Sequence, residues 1–127
     1  MKKVINSEYA PAPVGPYSQA ILVNGTLYCS GQIAIDRLTG KLNDADIKTE
    51  TKQVMENLSL ILKEAGMTFS NVLKCSIFLK DMADFAEMNA VYGNYFTAAP
   101  PARETVQVAG LPLNVNIEIS LIACLDV

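Results

Sequence analysis

The stretch PARETVQVAGLPLNVNIEISLIAC, residues 101–124, decides the fold. Apolar and polar side chains alternate on both sides of the short connection 110–113, and this period of two is typical of half-buried β-strands. A four-residue connection predicts an antiparallel hairpin in which Val106 pairs with Ile117. That register places the apolar side chains of both strands on one face of the sheet, whereas a slip of one residue would bury a carboxylate among valines.

The polar face of the predicted hairpin brings three functional groups together. Arg103 would lie diagonally across from Glu118, about 7–8 Å away at the backbone, with the hydroxyl of Thr105 between them. One interpretation is a cross-strand ion pair on a solvated face, which contributes little to stability. The other is a binding site in which the guanidinium holds a substrate carboxylate through two parallel hydrogen bonds while Glu118 acts as a base or positions a water. The stretch alone leaves both interpretations open.

Composition limits the class of protein. A chain of 127 residues predicts one domain over residues 1–127. Half of the residues are hydrophobic and only 18% are charged, so some apolar surface is expected to be buried between subunits. The net charge of −3, without a run of Lys or Arg, argues against nucleic acid as the main partner. We expect a cytoplasmic protein without a membrane segment, because the sequence has no export signal and no long apolar run.

The chain contains no histidine, which excludes Ser-His and Cys-His nucleophile pairs and removes the commonest zinc ligand. A metal site is therefore not expected. Cys29, Cys75 and Cys124 lack CxxC spacing, and we interpret them as buried, reduced thiols. Proton transfers in an enzyme of this composition would fall to Glu, Asp, Tyr, Lys or bound water.

Turn signals organise the N-terminal third of the chain. Asn24-Gly25 is the strongest short signal for a β-hairpin, since a type I′ turn needs positive φ at both central residues. Ser30-Gly31 at the end of the second strand indicates either a bulge or a place where a ligand approaches the main chain closely. The proline-rich segment before the hairpin is either a rigid lead-in or a support that holds Tyr17 over a pocket.

Two helices and a further strand follow the hairpin. The first helix is predicted to be capped by Asp44 or Asp46 and to stop at Gly66. Alternation over residues 71–80 predicts a strand, and Asp81 is predicted to cap the second helix. This order predicts an α+β fold, in which a mixed sheet of about six strands carries two helices on one face.

The face of the sheet away from the helices needs an explanation of its own. Its predicted side chains are Arg103, Thr105, Gln107 and Glu118, with Tyr28 and Phe78 as further candidates. Such a face is too apolar for open solvent and too charged for the core of a monomer, and a subunit interface that contains a polar cleft would reconcile the two properties. Asn89, at the border of the second helix's apolar stripe, either satisfies a backbone group or orients a substrate or water.

Several motifs in chain order together resemble the reactive intermediate deaminase family, also called Rid or YjgF-like, and its RidA-type members in particular. The motifs are Gly15-Pro16-Tyr17-Ser18-Gln19-Ala20, Ser30-Gly31-Gln32-Ile33 with Thr39-Gly40, Asn89 followed by Tyr92 and Phe96, Pro101-Ala102-Arg103, and Ile117-Glu118. They cover essentially the whole chain. The resemblance implies a chorismate-mutase-like α+β fold and a homotrimer with active clefts between subunits.

The resemblance also implies a chemistry. Archetypal members hydrolyse 2-imino acids, such as 2-iminobutanoate and 2-iminopropanoate with their enamine tautomers, to 2-oxo acids and ammonia without a metal or an organic cofactor. The role is one of metabolite damage control. By resemblance, Arg103 holds the substrate carboxylate, Glu118 handles the water and the leaving nitrogen, and Gly31 is a backbone donor. The residues that would line the pocket are Tyr17, Ser30, Asn89 and Thr105.

The sequence departs from the family pattern at two positions, and there are two alternatives to imine hydrolysis. Thr105 stands where some members carry cysteine, and Glu104 stands where a small hydroxyl residue is more usual; by alternation Glu104 points away from the face that carries Arg103. A noncatalytic trimer that binds 2-oxo acids or related carboxylates would use the same Arg103. A ribonuclease or translation inhibitor is the least supported function, because the pI is about 4.8 and there is neither histidine nor a basic patch.

Overall fold

Six strands form one sheet in a computed structural model that describes residues 1–126. The strands are β1 (Lys3–Ile5), β2 (Ala20–Val23), β3 (Thr26–Gln32), β4 (Val72–Leu79), β5 (Ala102–Gln107) and β6 (Ile117–Cys124). Their spatial order is β1-β2-β3-β6-β4-β5. Every neighbouring pair is antiparallel except β4 and β5, which run parallel. The predicted mixed sheet with two helices on one face is confirmed.

The first hairpin forms as its turn residues predict. Asn24 and Gly25 have φ values of 50° and 78°, the left-handed pair that a type I′ turn requires. Strands β2 and β3 pair with Ile21 opposite Tyr28, which is the register that a two-residue turn at Asn24-Gly25 gives. Strand β1 adds to the outer edge of β2.

The two helices are α1 (Ile47–Glu64) and α2 (Phe85–Tyr92). The Asp46 side chain accepts a hydrogen bond from the Thr49 N–H at 2.7 Å and caps α1, and Gly66 follows the helix with φ of +76°. Asp81 caps a 3₁₀ turn, Met82–Asp84, that leads into α2 rather than capping α2 itself. Within the described chain, no helix combines the length and apolarity needed to cross a bilayer.

The hydrophobic core lies between the helices and one face of the sheet, which we call the helix face. Its fully buried members from α1 include Val54, Leu58 and Ile61, and those from the sheet include Ile77, Ile117 and Ile119. Burial of each such side chain stabilises the fold by about 1.5–3 kcal/mol. The opposite face of the sheet, which we call the open face, carries no helix.

The predicted hairpin between β5 and β6 is wrong, because β4 lies between these two strands. Strand β5 runs parallel to β4 at the edge of the sheet, and Val108 N–H donates to the Leu79 carbonyl where the chain leaves β5. The alternation of apolar and polar residues predicts which face of the sheet a side chain occupies, but it does not predict which strand lies next to it. Every second residue of β6 is buried, whereas no residue of β5 is, so the more apolar β6 takes a central position and β5 takes the edge.

The change of partner also changes the face on which the polar residues lie. Arg103 is opposite Cys75 of β4 and Thr105 is opposite Ile77, and both partners are buried on the helix face. Glu118 is opposite Phe78 on the open face. The prediction that one face carries Arg103, Thr105, Gln107 and Glu118 is therefore wrong: the first three belong to the helix face and Glu118 to the open face.

Candidate functional site

Within the chain, the predicted site residues form two groups on opposite faces of the sheet. The glutamate group consists of Tyr17, Ser30, Gly31 and Glu118. The arginine group consists of Asn89, Arg103 and Thr105. The structure therefore brings the members of each group together but separates the two groups, contrary to the predicted diagonal contact between Arg103 and Glu118.

The glutamate group is built around a contact between Glu118 and the backbone of Gly31. The register of β3 against β6 shifts between Cys29 and Gln32, which confirms the predicted bulge. A β-carbon at Gly31 would lie only 2.5 Å from Oε2 of Glu118 and 2.9 Å from its Cγ. Only glycine leaves room for the carboxylate in this position.

Partial burial sets the electrostatics of Glu118. Removal of the carboxylate from water raises the pKa of Glu118 above its usual range, since desolvation disfavours the charged form. The sequence leaves the direction of this shift open, because a nearby Arg103 would lower the pKa. Within the chain Arg103 lies on the other face of the sheet, so burial determines the direction of the pKa shift.

Tyr17 and Ser30 lie beside this contact in different roles. Tyr17 belongs to an irregular segment, and its hydroxyl accepts a hydrogen bond from the Val14 N–H at 3.3 Å. Tyr17 and Gly31 line the same small cavity. The Ser30 hydroxyl donates to the Ser18 carbonyl at 2.7 Å, so it holds the chain that leads away from Tyr17.

The arginine group is built around a guanidinium that is held on several sides. Arg103 Nη1 donates to Asn89 Oδ1 at 2.7 Å, and the guanidinium carbon lies 4.9 Å from the ring centre of Tyr92 and 5.6 Å from that of Phe85. These distances fit cation–π contacts. Arg103 remains exposed, and most of its five N–H groups are free to bind a carboxylate.

Tyr92 and Phe85 are the members of this arrangement that the sequence analysis missed. Tyr92 enters there only as part of a motif and Phe85 is not named, because both rings follow the helical spacing of an apolar stripe on α2; Tyr92 is indeed buried. Phe85, Asn89 and Tyr92 are separated by four and three residues, so they share one side of α2. That spacing, together with an unpaired arginine elsewhere in the chain, was the available signal.

A buried thiol lies beneath the arginine group. Burial raises the pKa of the Cys75 thiol and of the neighbouring Tyr92 hydroxyl. Burial likewise raises the pKa of Cys29 to about 12. All three cysteines are free, although Cys124 is only half-buried. The predicted burial is confirmed for Cys29 and Cys75, which are poor nucleophiles, and is wrong for Cys124.

A cleft opens beside Arg103 on the side of the C-terminal end of α2. Its volume is about 330 Å³. The cleft is lined by Asn89, Tyr92, Gly93, Phe96, Pro100, Pro101 and Arg103. The Thr105 hydroxyl is buried on the same face of β5, and it makes no hydrogen bond within the described part of the chain. A charged donor therefore stands at the edge of a cleft with a mixed polar and apolar lining, whose volume is large enough for a small organic acid.

Glu104 points away from Arg103, as alternation predicts. It accepts a hydrogen bond from the Ser76 hydroxyl and pairs with Lys74 Nζ at 3.0 Å on the open face. The bonds from Ser76 and Lys74 lower the pKa of Glu104. Glu104 thus has polar partners on the open face.

The comparisons with known proteins agree with this architecture. A family model described as Endoribonuclease L-PSP matches residues 7–125. The chain belongs to this family, which is also called Rid or YjgF-like. A solved structure of a Rid family protein from Yersinia pestis matches the Rid fold of this chain with a TM-score of 0.95 at 42% identity, covering 98% of this chain and 99% of that one.

Two curated relatives show the range of names within the Rid family. A RutC family protein from Pyrococcus horikoshii is 51% identical over 123 residues, which is 97% of this chain and 98% of that protein. A mouse protein named 2-iminobutanoate/2-iminopropanoate deaminase is 46% identical over 123 residues, which is 97% of this chain and 91% of the mouse protein. The family is thereby established for the whole described fold, and one of its named activities is imine deamination.

The raised pKa of Glu118 predicts a dependence of stability on pH. The folded state binds the proton more tightly than the unfolded chain, whose glutamate pKa is about 4.3, so stability falls as pH rises through the folded pKa. Glu118→Gln removes the buried charge. We expect this variant to have a higher Tm than the wild type at pH 7 and the same Tm near pH 4, measured by calorimetry. Glu64→Gln, at an exposed position, controls for the loss of one negative charge, and an unchanged Tm of Glu118→Gln at pH 7 would contradict the assignment.

The contact with Gly31 predicts a second change in Glu118. In Gly31→Ala the added methyl group overlaps the Glu118 side chain and drives its carboxylate toward water, so the pKa of Glu118 should fall toward the ordinary value of about 4.3. Carbon-13 NMR titration of the carboxyl groups measures this, with Glu118→Gln to assign the signal. Gly93→Ala is the matched control because no atom lies within 4 Å of its added carbon. A Glu118 pKa that is the same in Gly31→Ala and wild type would show that the two residues do not contact each other in solution.

Proposed function

We propose that the protein is a hydrolytic deaminase that converts 2-imino acids, such as 2-iminobutanoate and 2-iminopropanoate, to 2-oxo acids and ammonia. The observation that carries the proposal is the arginine held between Asn89, Tyr92 and Phe85 at the edge of a cleft. Its fork of N–H groups matches the carboxylate that every 2-imino acid carries. The name of the mouse relative supports the same substrate class.

The proposed reaction needs a positioned water and a group that moves protons. The protonated imine is already electrophilic, so water adds to its carbon once Glu118 removes a proton from that water. Glu118 then returns this proton to the nitrogen of the carbinolamine. The C–N bond breaks as Glu118 takes the hydroxyl proton, so that the carbon becomes the carbonyl of the 2-oxo acid and the nitrogen leaves as ammonia, which accepts that proton from Glu118 and departs as ammonium. A raised pKa suits this exchange, because it makes the Glu118 carboxylate a stronger base toward the attacking water.

The separation of the two groups bears on the assembly. Arg103 and Glu118 lie on opposite faces of one sheet, so a single protomer does not present both to one small substrate. We propose that the arginine group of one protomer meets the glutamate group of its neighbour, in a homotrimer with three such clefts. The unpartnered Thr105 hydroxyl supports an interface at this place, since a buried hydroxyl without a partner costs about 1–3 kcal/mol.

A noncatalytic module that binds 2-oxo acids is the second candidate. Arg103 supports this candidate as well, because a guanidinium that is placed to bind a carboxylate serves a binding protein as well as an enzyme. The description of the family model, Endoribonuclease L-PSP, suggests RNA cleavage as a third candidate. The acidic composition and the absence of histidine weigh against it.

A coupled assay distinguishes the first two candidates. A threonine dehydratase generates the enamine and imine in the presence of semicarbazide, and the semicarbazone records what escapes hydrolysis. We expect the wild type to suppress this signal and Arg103→Ala to lose at least about a hundredfold in kcat/KM, since a fully oriented charged contact is removed. Arg103→Lys retains the charge without the fork and should lie between them. Binding of 2-oxobutanoate by calorimetry without any suppression would favour the binding module instead.

Mixed oligomers test where the site residues come from. Arg103→Ala and Glu118→Gln protomers are each expected to be inactive alone, but co-expression creates interfaces that carry both intact residues. Random assortment around a closed ring gives about one quarter of wild-type activity. Sedimentation checks that each variant assembles. No recovery in well-assembled mixed oligomers would place both residues of one site in the same protomer and overturn the proposed assembly.

A further inference from the structure

Two side chains close the base of the loop that carries Tyr17. We call residues 12–17 the Tyr17 loop. On one side of it, Gln19 Nε2 donates to the Pro11 carbonyl at 3.0 Å. On the other side, the Ser30 hydroxyl donates to the Ser18 carbonyl at 2.7 Å. The two bonds fix one end of the loop to the residue that precedes β2 and the other end to β3.

The amide of Gln19 is fully used in this arrangement. Its Oε1 accepts from the Ser7 N–H at 2.7 Å, while its Nε2 donates to the carbonyls of Ser7 at 3.1 Å and Pro11 at 3.0 Å. The side chain is only 2% exposed. An amide supplies one acceptor side and two donors, which is what this environment requires. A carboxylate of the same shape would place an oxygen against two carbonyl oxygens.

The position of the segment between β1 and β2 depends on these hydrogen bonds, because the segment has little regular structure. No strand or helix lies between Ile5 and Ala20 in the described chain. Inside the Tyr17 loop, Tyr17 N–H donates to the Gly15 carbonyl at 2.9 Å, and the Val14 N–H donates to the Tyr17 hydroxyl at 3.3 Å. The loop thus has internal bonds that tie Tyr17 to its own neighbours. Its position over the sheet is then set at its base rather than at its tip.

The base of the loop lies beside the glutamate group. Pro11, Tyr17, Gln19 and Gly31 line the same small cavity, and Gly31 in turn contacts the Glu118 side chain. A displacement at Pro11 therefore reaches Tyr17 and the space in front of Glu118.

We propose that Gln19 is a positioning residue that holds the Tyr17 loop over Gly31 and Glu118. This role rests on the proposed function, in which Tyr17 lines the pocket of the deaminase. Gln19 itself touches neither the substrate nor the reacting atoms. It acts through Tyr17, and its sequence requirement is for an amide rather than for polarity in general.

Substitution of Gln19 in two backgrounds tests the proposal. Gln19→Glu and Gln19→Met are expected to lower kcat/KM for 2-iminobutanoate by on the order of a hundredfold, the loss expected when a positioned group moves by about 1 Å. The effect should be strongly reduced in a Tyr17→Ala background, because Gln19 then has no side chain to position. A purely structural role would give losses that multiply. Gln107→Glu makes the same change from amide to acid on β5, keeps the hydrogen bond accepted from Met82 N–H, and should leave activity unchanged.

Hydrogen exchange gives a result that does not depend on activity. In both Gln19 variants the amides of residues 8–17 should exchange faster, while those of α1 and β6 keep their wild-type rates. If the wild type fails to hydrolyse imines but the exchange result holds, the proposed function is wrong and the positioning of the loop stands. Unchanged exchange in both variants, or losses of activity that multiply with Tyr17→Ala, would overturn the role of Gln19. Gln19→Met keeps the test open if the repulsion in Gln19→Glu prevents folding.

Discussion

The burial of β6 in the middle of the sheet is the constraint on which the other features depend. Ile117, Ile119 and Leu121 are buried on the helix face, and strict alternation then sends Glu118 to the open face. The same rule applied through β4 sends Arg103 to the helix face. No side-chain rotation reverses either assignment, since both follow from the register of the backbone. The packing of the core thereby determines the face of the sheet on which each of these two residues lies.

Glycine and aromatic residues then convert these positions into functional groups of defined geometry. At Gly31 the missing β-carbon admits the Glu118 side chain, and the resulting burial changes its acidity. At Arg103 two rings and an amide restrict a flexible side chain before any ligand arrives. The conformational entropy of that ordering is lost during folding and not during binding. Desolvation thus sets the acidity of Glu118, and packing against neighbouring side chains sets the conformation of Arg103.

Much of the fold was predictable from local signals, and the sheet order was not. The Asn24-Gly25 turn, the cap at Asp46 and the stop at Gly66 each act within a few residues, so the sequence identifies them directly. The pairing of β5 was mispredicted, because a short connection and matched alternation suit a hairpin as well as an exchange of neighbours. The motif residues could be named from resemblance, but their division between two faces required the register. The contact of Tyr92 and Phe85 with Arg103 was not predictable from the sequence. An aromatic ring that packs in the core and also contacts an arginine has the same helical spacing as a ring that only packs in the core.

The central position of β6 has a consequence for how the chain folds during synthesis. Its partners are β3 and β4, and its residue Cys124 pairs with Thr26 from the opposite end of the sequence. All the other strands leave the ribosome before β6, so the nascent sheet consists of two separate pieces with a gap between them. Contacts over such long sequence separations form slowly, and the unpaired edges of β3 and β4 remain exposed in the meantime. The strand that carries Glu118 therefore also joins the two pieces of the sheet when it is synthesised. A nascent chain that stalls before residue 117 exposes two unpaired strand edges, which can pair with other chains and aggregate.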